Sequence, residues 1–445
     1  MTMVQAPSDT IDAALARFFA GQPGVRHVVV ALSGGMDSVV LLHALGRLHA
    51  AGTCLAELSA LHVHHGLSPN ADGWAQFCRD LCVDMNVALK IERVDVPRGS
   101  GEGLEAAARR CRHAAFAACD ADAVALAHHR DDQAETVLLN LLRGAGVAGA
   151  AGMPAARAQR NGPLLIRPLL DVAHAVLEAY AVEHGLRWID DESNANRHFR
   201  RNFLRHDVLP ALEDKFPGAR QSLARAAGHF GDAAQLLDEL AALDLAAVRQ
   251  PSGRIGLTAF NALVPARARN VLRAVWLEAG FRAPEARWVD EARRQLAATD
   301  AHSETCVSTP EGDLHVYRGE LHCVPRRPAV PAGPLRWQGE AELAWAGGRV
   351  RFVTQTGAGI RRQFLEAERV ELAARQGGER IQLQANRPRR QLRDALREAA
   401  IPPWERERLP YLWIGGRLAW VGRLGVDIDF VCRPGEAGLL PVWDA

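Results

Sequence analysis

The chain has 445 residues, 48% hydrophobic and 24% charged, with a formal net charge of +1 at pH 7. That is enough for roughly two to four domains with cores of their own, and it excludes a disordered, collagen-like or disulfide-stapled chain. The start, MTMVQAPSDTIDAALARFF, has no basic leader followed by an apolar core, and no later run approaches the length of a membrane span, so the chain is read as cytoplasmic. Lys90 and Lys215 are the only lysines among 53 basic residues. The arginines that make up the rest have planar forks suited to bidentate phosphate contacts. Eight cysteines are scattered without a CxxC pair, and Cys78 and Cys82, at i and i+4, read as buried helix positions.

Up to about residue 215, short apolar runs alternate with helical periods. Strands are expected at 27–32, 58–64, 89–96 and 123–128, and helices near 37–50, 71–86, 102–119 and 131–143. This alternation implies a parallel sheet with helices on both faces. The first strand stops at Ser33-Gly34-Gly35, and Met36-Asp37-Ser38 opens a helix. Free backbone N–H groups and the positive end of a helix dipole meet there, so an anion belongs at this turn. Ser33 and Ser38 add hydroxyl donors. Neither GxxxxGK[ST] nor GxGxxG is present, and the lysine that would reach outer phosphates is missing. An SGGMDS turn of this kind suits a pyrophosphate unit, with Asp37 placed to hold a bridging Mg2+, and favours cleavage between the first and second phosphates of ATP.

The second strand leads into LHVHHGLSPNAD, which puts His64 and His65 at the end of the sheet where ligands sit. The helix at 102–119 carries Arg109 and Arg112, three residues apart. The fourth strand leads into LAHHRDDQAETVLLNLLRGAG, where Asp131 and Glu135 (i, i+4) and Asp132 and Glu135 (i, i+3) turn carboxylates toward one point at a helix start. Caps alone would explain one acid there. Three acids and two histidines within eight residues suit Mg2+ and a cationic nucleophile. Further on, Arg197, Arg200, Arg201 and Arg205 place four arginines within nine residues, a candidate phosphate-binding patch.

From 216 to 300 the pattern is helical, followed by a hairpin-like TCVSTPEGDLHVYRGELHCV and an aperiodic linker, RRPAVPAGPLR. Beyond it, short strand-like runs surround one helix, RQLRDALREAA, and Arg375, Arg380, Arg387, Arg389, Arg390 and Arg393 form a second basic cluster. The expected division is 1–215, 216–327 and 335–445.

SGGMDS after an apolar strand resembles the pyrophosphate loop of the N-type ATP pyrophosphatase superfamily. Together with HHGLSPNAD, HHRDDQAET, DESNANRHFRRNFLRHDVLPALE, RQGGERIQL and IPPWERERLPYLWIGGRLAWVGRLGVD, it resembles the tRNA(Ile)-lysidine synthase family over nearly the whole chain. The resemblance implies a parallel-sheet α/β domain of the adenine nucleotide alpha hydrolase-like type, a helical middle domain and a small α+β C-terminal domain. It implies that ATP adenylates C2–O of the wobble cytidine in a CAU anticodon, and that free L-lysine displaces AMP. Ser33, Gly34, Gly35, Met36, Asp37, Ser38 and His64 would then hold ATP. Asp37 and Asp132 would hold Mg2+. Asp132 and Glu135 would bind lysine or take its proton, and Arg109 or Arg112 would stabilise the phosphate or the activated base. Arg197, Arg201, Asn202 and Arg205, with Arg380, Arg389, Arg390 and Arg393, would grip the tRNA; a homodimer is common in similar proteins, while the sequence itself does not show the oligomeric state. Ser68 stands where that family usually has arginine. A tRNA cytidine thiolase of the same superfamily, an idle tRNA-binding protein and a small-molecule amidating ligase are the competing readings.

Overall fold

The computed structural model describes residues 6–52, 55–97, 103–159, 161–191, 197, 199–300 and 305–444. The chain forms two compact units, Met1–Glu239 and Leu240–Ala445. No helix among the described residues is long and apolar enough to cross a membrane.

In the first unit, α1 (Pro7–Ala20) precedes β1 (His27–Ala31), α2 (Met36–Ala50), β2 (Glu57–His64), α3 (Ala71–Asp84), β3 (Ala88–Arg93), α4 (Leu104–Ala117), β4 (Ala123–Ala125) and α5 (Arg130–Leu142). After these come α6 (Val147–Ala150), β5 (Ala156–Arg157), β6 (Leu164–Ile166) and α7 (His174–Glu183). The sheet order is β3-β2-β1-β4-β6-β5, parallel except for the β5 edge. The chain moves outward from β1 through β2 to β3 and then returns to β4 on β1's other side. The C-terminal ends of β1 and β4 are therefore the switch point, where a crevice opens in such sheets.

Val28 and Val30 on β1 and Val39 to Leu42 on α2 are fully or almost fully buried. Each such side chain contributes about 1.5–3 kcal/mol of transfer free energy, which fixes the start of α2 against the sheet. α1 was not read from the sequence as an element; Ile11, Leu15 and Phe19, spaced four apart, bury it in the same core. β4 is shorter than the expected 123–128 because residues beyond Ala125 leave the sheet to build the crevice. Cys78 and Cys82 are buried on α3, where burial pushes their thiols up to about 12 and about 11. They are core residues, without thiolate character.

The unit continues through α8 (Arg200–Phe203), one π-helical turn (Leu204–Val208) and α9 (Leu209–Lys215) into the long α10 (Ala219–Val248). The second unit opens with β7 (Ile255–Gly256), α11 (Leu257–Asn261), α12 (Pro265–Glu278) and α13 (Ala286–Ala298), packed around Phe260, Trp276, Val289 and Leu296. The expected hairpin is instead a three-stranded meander, β8 (Thr305–Ser308), β9 (Gly312–Tyr317) and β10 (Glu320–Pro325). A second turn, Arg318-Gly319 with φ of 53° and 72°, divides the second expected run into two strands. The C-terminal region forms a five-stranded and a four-stranded sheet. It carries three short helices, Arg362–Ala367, Leu392–Glu398 and Pro403–Arg406, where one was expected.

Candidate active site

The turn after β1 is closed by its own hydroxyls. Ser38 Oγ donates to the Gly35 carbonyl at 2.8 Å and accepts from Ser33 N at 3.2 Å, and Gly35 N donates to Ser33 Oγ at 3.3 Å. Gly34 has φ of +92°, a conformation that calls for glycine, and a Cβ there would lie 2.7 Å from Ile189 Cδ1. Ile189 N holds the Gly34 carbonyl at 2.9 Å. No side chain caps α2, and its N-terminal dipole faces the crevice.

That crevice is a cavity of about 670 Å³ lined by Ser33, Gly35, Met36, Asp37, Ser38, His64, Arg109, Arg112, His128, Asp132 and Arg167, among others. The turn, both expected metal-binding acids and both arginines of α4 thus share one space. Asp37 Oδ1 is buried and makes no hydrogen bond, while its Oδ2 lies 3.6 Å from His129 Nε2. Asp37, His129 and His174 bring one donor atom each within 4.8 Å of one another. Burial opposes charge on His129, but Asp37, Asp132 and Asp131 overcome it and raise its pKa. The acids around His129 thus raise its affinity for a proton. Asp37 Oδ1, a hard carboxylate oxygen without a hydrogen-bond partner, is of the kind that Mg2+ takes, while Asp132 lies outside this group of three and its oxygens accept from Arg201, Arg205 and His129 N.

α5 begins with a capping box that uses unusual residues. Asp132 N donates to His129 Nδ1 at 3.4 Å, and His129 N donates to Asp132 Oδ2 at 3.2 Å. The acids that follow have separate tasks. Asp131 turns away, accepting from His174 N at 3.0 Å and pairing with Arg220 Nε at 2.9 Å. Asp132 reaches the cavity. Although burial disfavours its charge, His129, Arg201, His128 and Arg205 together hold its pKa below the usual carboxylate range. Glu135 is 1% exposed and lies beneath Arg201 and Arg205.

Those two arginines depart most from the sequence reading, which turned them toward RNA phosphate. Arg201 donates from Nε to Glu135 Oε2 at 2.7 Å and from Nη2 to Asp132 Oδ1 at 2.9 Å. Arg205 donates from Nε to Glu135 Oε1 at 2.5 Å and from Nη2 to Asp132 Oδ1 at 2.9 Å. Successive turns of the 200–208 segment thus lay two guanidinium groups over two carboxylates of α5, because a buried Glu135 demands compensation. Arg197 is exposed and pairs with Asp207 at 2.8 Å. Asn202 sits between the two arginines in sequence, half-buried.

The opposite wall is cationic, with Glu105 as the negative charge acting on Arg112. Arg109 and Arg112 project from α4 and make no ion pair among the described residues. Arg112 is open to the cavity, yet the protein around it and the neighbouring Arg109 lower its pKa. His113 is lowered to about 4, chiefly by burial and then by Arg109 and Arg157. Arg167, at the end of β6, was not singled out from the sequence. It is 6% exposed, and its pKa falls to about 10 through burial, Arg157 and Arg109. Its signal was an arginine inside the apolar run PLLIRPLLDV, a burial that requires specific partners.

In the second unit the C-terminal arginines are largely paired internally. Arg389 makes a two-pronged contact with the fully buried Asp427 at 2.9 Å on each prong, and a third with Asp429 at 3.0 Å. Arg390 and Arg387 both pair with Glu398, Arg375 pairs with Glu379, and Arg380 donates to the Arg389 carbonyl. Arg393 is exposed and lies 3.5 Å from Asp394.

Comparison with known proteins gives three matches along the chain. A PP-loop domain matches residues 7–212, a TilS substrate binding domain 256–322, and a TilS substrate C-terminal domain 370–443. The chain is 46% identical to a tRNA(Ile)-lysidine synthase of Aromatoleum aromaticum over 94% of its own length and 97% of the relative's. It is 43% identical to one from an Azoarcus species over 93% and 90%, and 41% identical to one from Nitrosomonas europaea over 95% and 92%.

Proposed function

This chain belongs to the tRNA(Ile)-lysidine synthase family, and from that premise we propose how its cavity carries out the two-step ligation. The enzyme is an ATP-dependent ligase acting on tRNA(Ile). It adenylates the wobble cytidine of the CAU anticodon and joins lysine to C2, which moves codon reading from AUG to AUA. The observation that carries the reading is the convergence of the Ser33–Ser38 turn, Asp37, Asp132, Arg109 and Arg112 on one cavity. Relatives matched over nearly the full chain leave no place for the thiolase, idle-binder or small-molecule readings.

In the first step the cytidine C2 oxygen attacks the α-phosphorus, the α–β bridging bond breaks, and pyrophosphate leaves. The backbone donors of Ser33–Ser38 and the α2 dipole hold the β-phosphate side, and Arg109 and Arg112 take the charge that develops at the α-phosphate. Bound Mg2+ would supply charge neutralisation between the phosphates, held by Asp37 and Asp132. In the second step the ε-amine of free lysine attacks C2, and AMP leaves with the oxygen. Asp132, which reaches the cavity, draws in the lysine ammonium, and Glu135, buried behind it, adds negative potential as the pair takes the proton of the attacking nitrogen. Arg201 and Arg205 keep these acids ionised until then, so we assign them to the acids rather than to RNA phosphate. His64, paired with Asp72 at 3.2 Å, borders the nucleotide.

The reading divides the chain into a catalytic part (1–215), a helical substrate-binding part (216–327) and a C-terminal tRNA-binding part (335–445), working in the cytoplasm as a homodimer. Arg197, Asn202, Arg380 and Arg393 remain the tRNA contacts of this scheme. Its test is stoichiometry: one AMP and one pyrophosphate per lysine incorporated into a CAU-bearing tRNA(Ile) transcript. Incorporation without AMP release would overturn it. Ultracentrifugation checks the dimer.

A further inference from the structure

Arg167 Nε donates to His128 Nδ1 at 3.2 Å, and its Nη1 donates to the Pro154 carbonyl at 2.7 Å. A guanidinium has five donors and no acceptor, so the imidazole nitrogen it meets must present a lone pair. The one proton of a neutral His128 therefore resides on Nε2. That nitrogen has no hydrogen-bond partner among the described residues, and His128 lines the cavity beside Asp132, Arg109 and Arg112.

The guanidinium is held from several directions. Gln133 donates to the Met153 carbonyl at 3.0 Å and accepts from Met153 N at 2.8 Å, which fixes the 151–154 loop and with it the Pro154 carbonyl. Arg167 N donates to the Ala155 carbonyl at 2.8 Å. Desolvation, only partly offset by Asp132, also depresses the pKa of His128 to about 4, and the nearby Arg167, Arg201 and Arg109 act in the same direction.

We propose that Arg167 is a positioning residue that locks His128 as the neutral Nε2–H tautomer, making His128 a fixed hydrogen-bond donor to the adenylyl phosphate and excluding it as the base for the amine. The phosphate role rests on the lysidine-forming reading; the tautomer does not. A neutral donor suits this place, because it stabilises developing oxygen charge without competing with the lysine ammonium for Asp132 and Glu135. Locking a histidine tautomer through its second nitrogen is the general device by which a buried neighbour sets imidazole chemistry.

The test is long-range 15N–1H NMR of histidine-labelled full-length protein, with the His128 signals assigned by their loss in His128→Gln. The expected result is an unprotonated Nδ1 and a protonated Nε2 at neutral pH. An Nδ1–H tautomer or an imidazolium would overturn the proposal without any variant of Arg167. Arg167→Met should mix the tautomers and lower kcat for lysidine formation about 10- to 100-fold with KM for ATP nearly unchanged. Arg167→Lys, which still donates, should restore most of the loss. A rise in KM alone, or equal damage in Lys and Met variants that fold normally, would mean that Arg167 only supports packing. Wild-type protein that incorporates no lysine would sink the functional reading and leave the tautomer standing.

Discussion

Arg201 and Arg205 lie on Asp132 and Glu135 at 2.5–2.9 Å, whereas Arg109, Arg112 and Arg167, on the facing wall of the same cavity, meet no carboxylate among the described residues. One side chain type serves two ends. On the α5 side, arginine neutralises buried acids and keeps them ionised. On the α4 side it leaves positive potential unspent, so that an incoming anion supplies the missing charge, while Arg167 turns its donors to His128 and the Pro154 carbonyl. Counting basic residues along the sequence cannot separate these cases, because the difference lies in what each guanidinium faces.

The comparison breaks most visibly at the acids. Asp37→Ala should cut pyrophosphate release about 10²–10³-fold while the salt dependence of tRNA binding stays as it is; a parallel loss of both in filter binding would make Asp37 a folding residue. Next, Arg112→Ala should lower kcat about 10²-fold and leave thermal unfolding within a degree or two, since no ion pair is broken. Arg205→Ala should do the reverse on stability. It leaves Glu135 short of a partner and costs about 2–3 kcal/mol, a figure discounted because Arg205 is partly exposed, without changing the slope of tRNA affinity against salt. An unchanged denaturation midpoint together with a flattened salt slope would return Arg205 to the phosphate role expected from the sequence.

The same contrast extends to the second unit. Arg389→Ala removes the partner of a fully buried Asp427 and should cost about 2 kcal/mol by urea titration, whereas Arg393→Ala, at an exposed site, should leave stability alone and reduce the salt slope by about one phosphate contact. The smallest effect concerns pH. His129 has a folded pKa raised above its ordinary 6.5, so its contribution is full below 6.5 and fades as pH rises through the folded value. Asp132, depressed in the fold, contributes above the ordinary carboxylate pKa and loses its contribution as pH falls through its folded value. Stability should therefore decline on both sides of a mildly acidic plateau, between the ordinary carboxylate and imidazole pKa values, and His129→Gln should remove only the decline on its alkaline side in a melting-temperature profile.

Much of the catalytic unit was legible because its signals are local. The β1 turn announces itself by two glycines between an apolar run and a helix, and the α5 acids by their crowding ahead of residues that pack. Long-range pairing was not legible. Arg201 and Glu135 are 66 residues apart, Arg389 and Asp427 are 38 apart, and nothing in either neighbourhood names the other. Asp131 and Asp132 are adjacent and chemically identical, yet helical geometry sends one to Arg220 and the other into the cavity. The extra strand in the meander was hidden because Arg318 stands at a positive φ, a place where sequence reading looks for asparagine or glycine. Arg167 left a trace, a charge in an apolar run, but its partner is a histidine whose tautomer only three-dimensional placement reveals.

The most direct measurement is the mass of the wobble nucleoside after incubating the protein with ATP, free lysine and an unmodified tRNA(Ile) transcript bearing CAU. The account predicts addition of one lysyl residue at the wobble cytidine, dependent on both ATP and lysine and abolished in Asp132→Asn. Pyrophosphate release with an unmodified or differently substituted cytidine would contradict it.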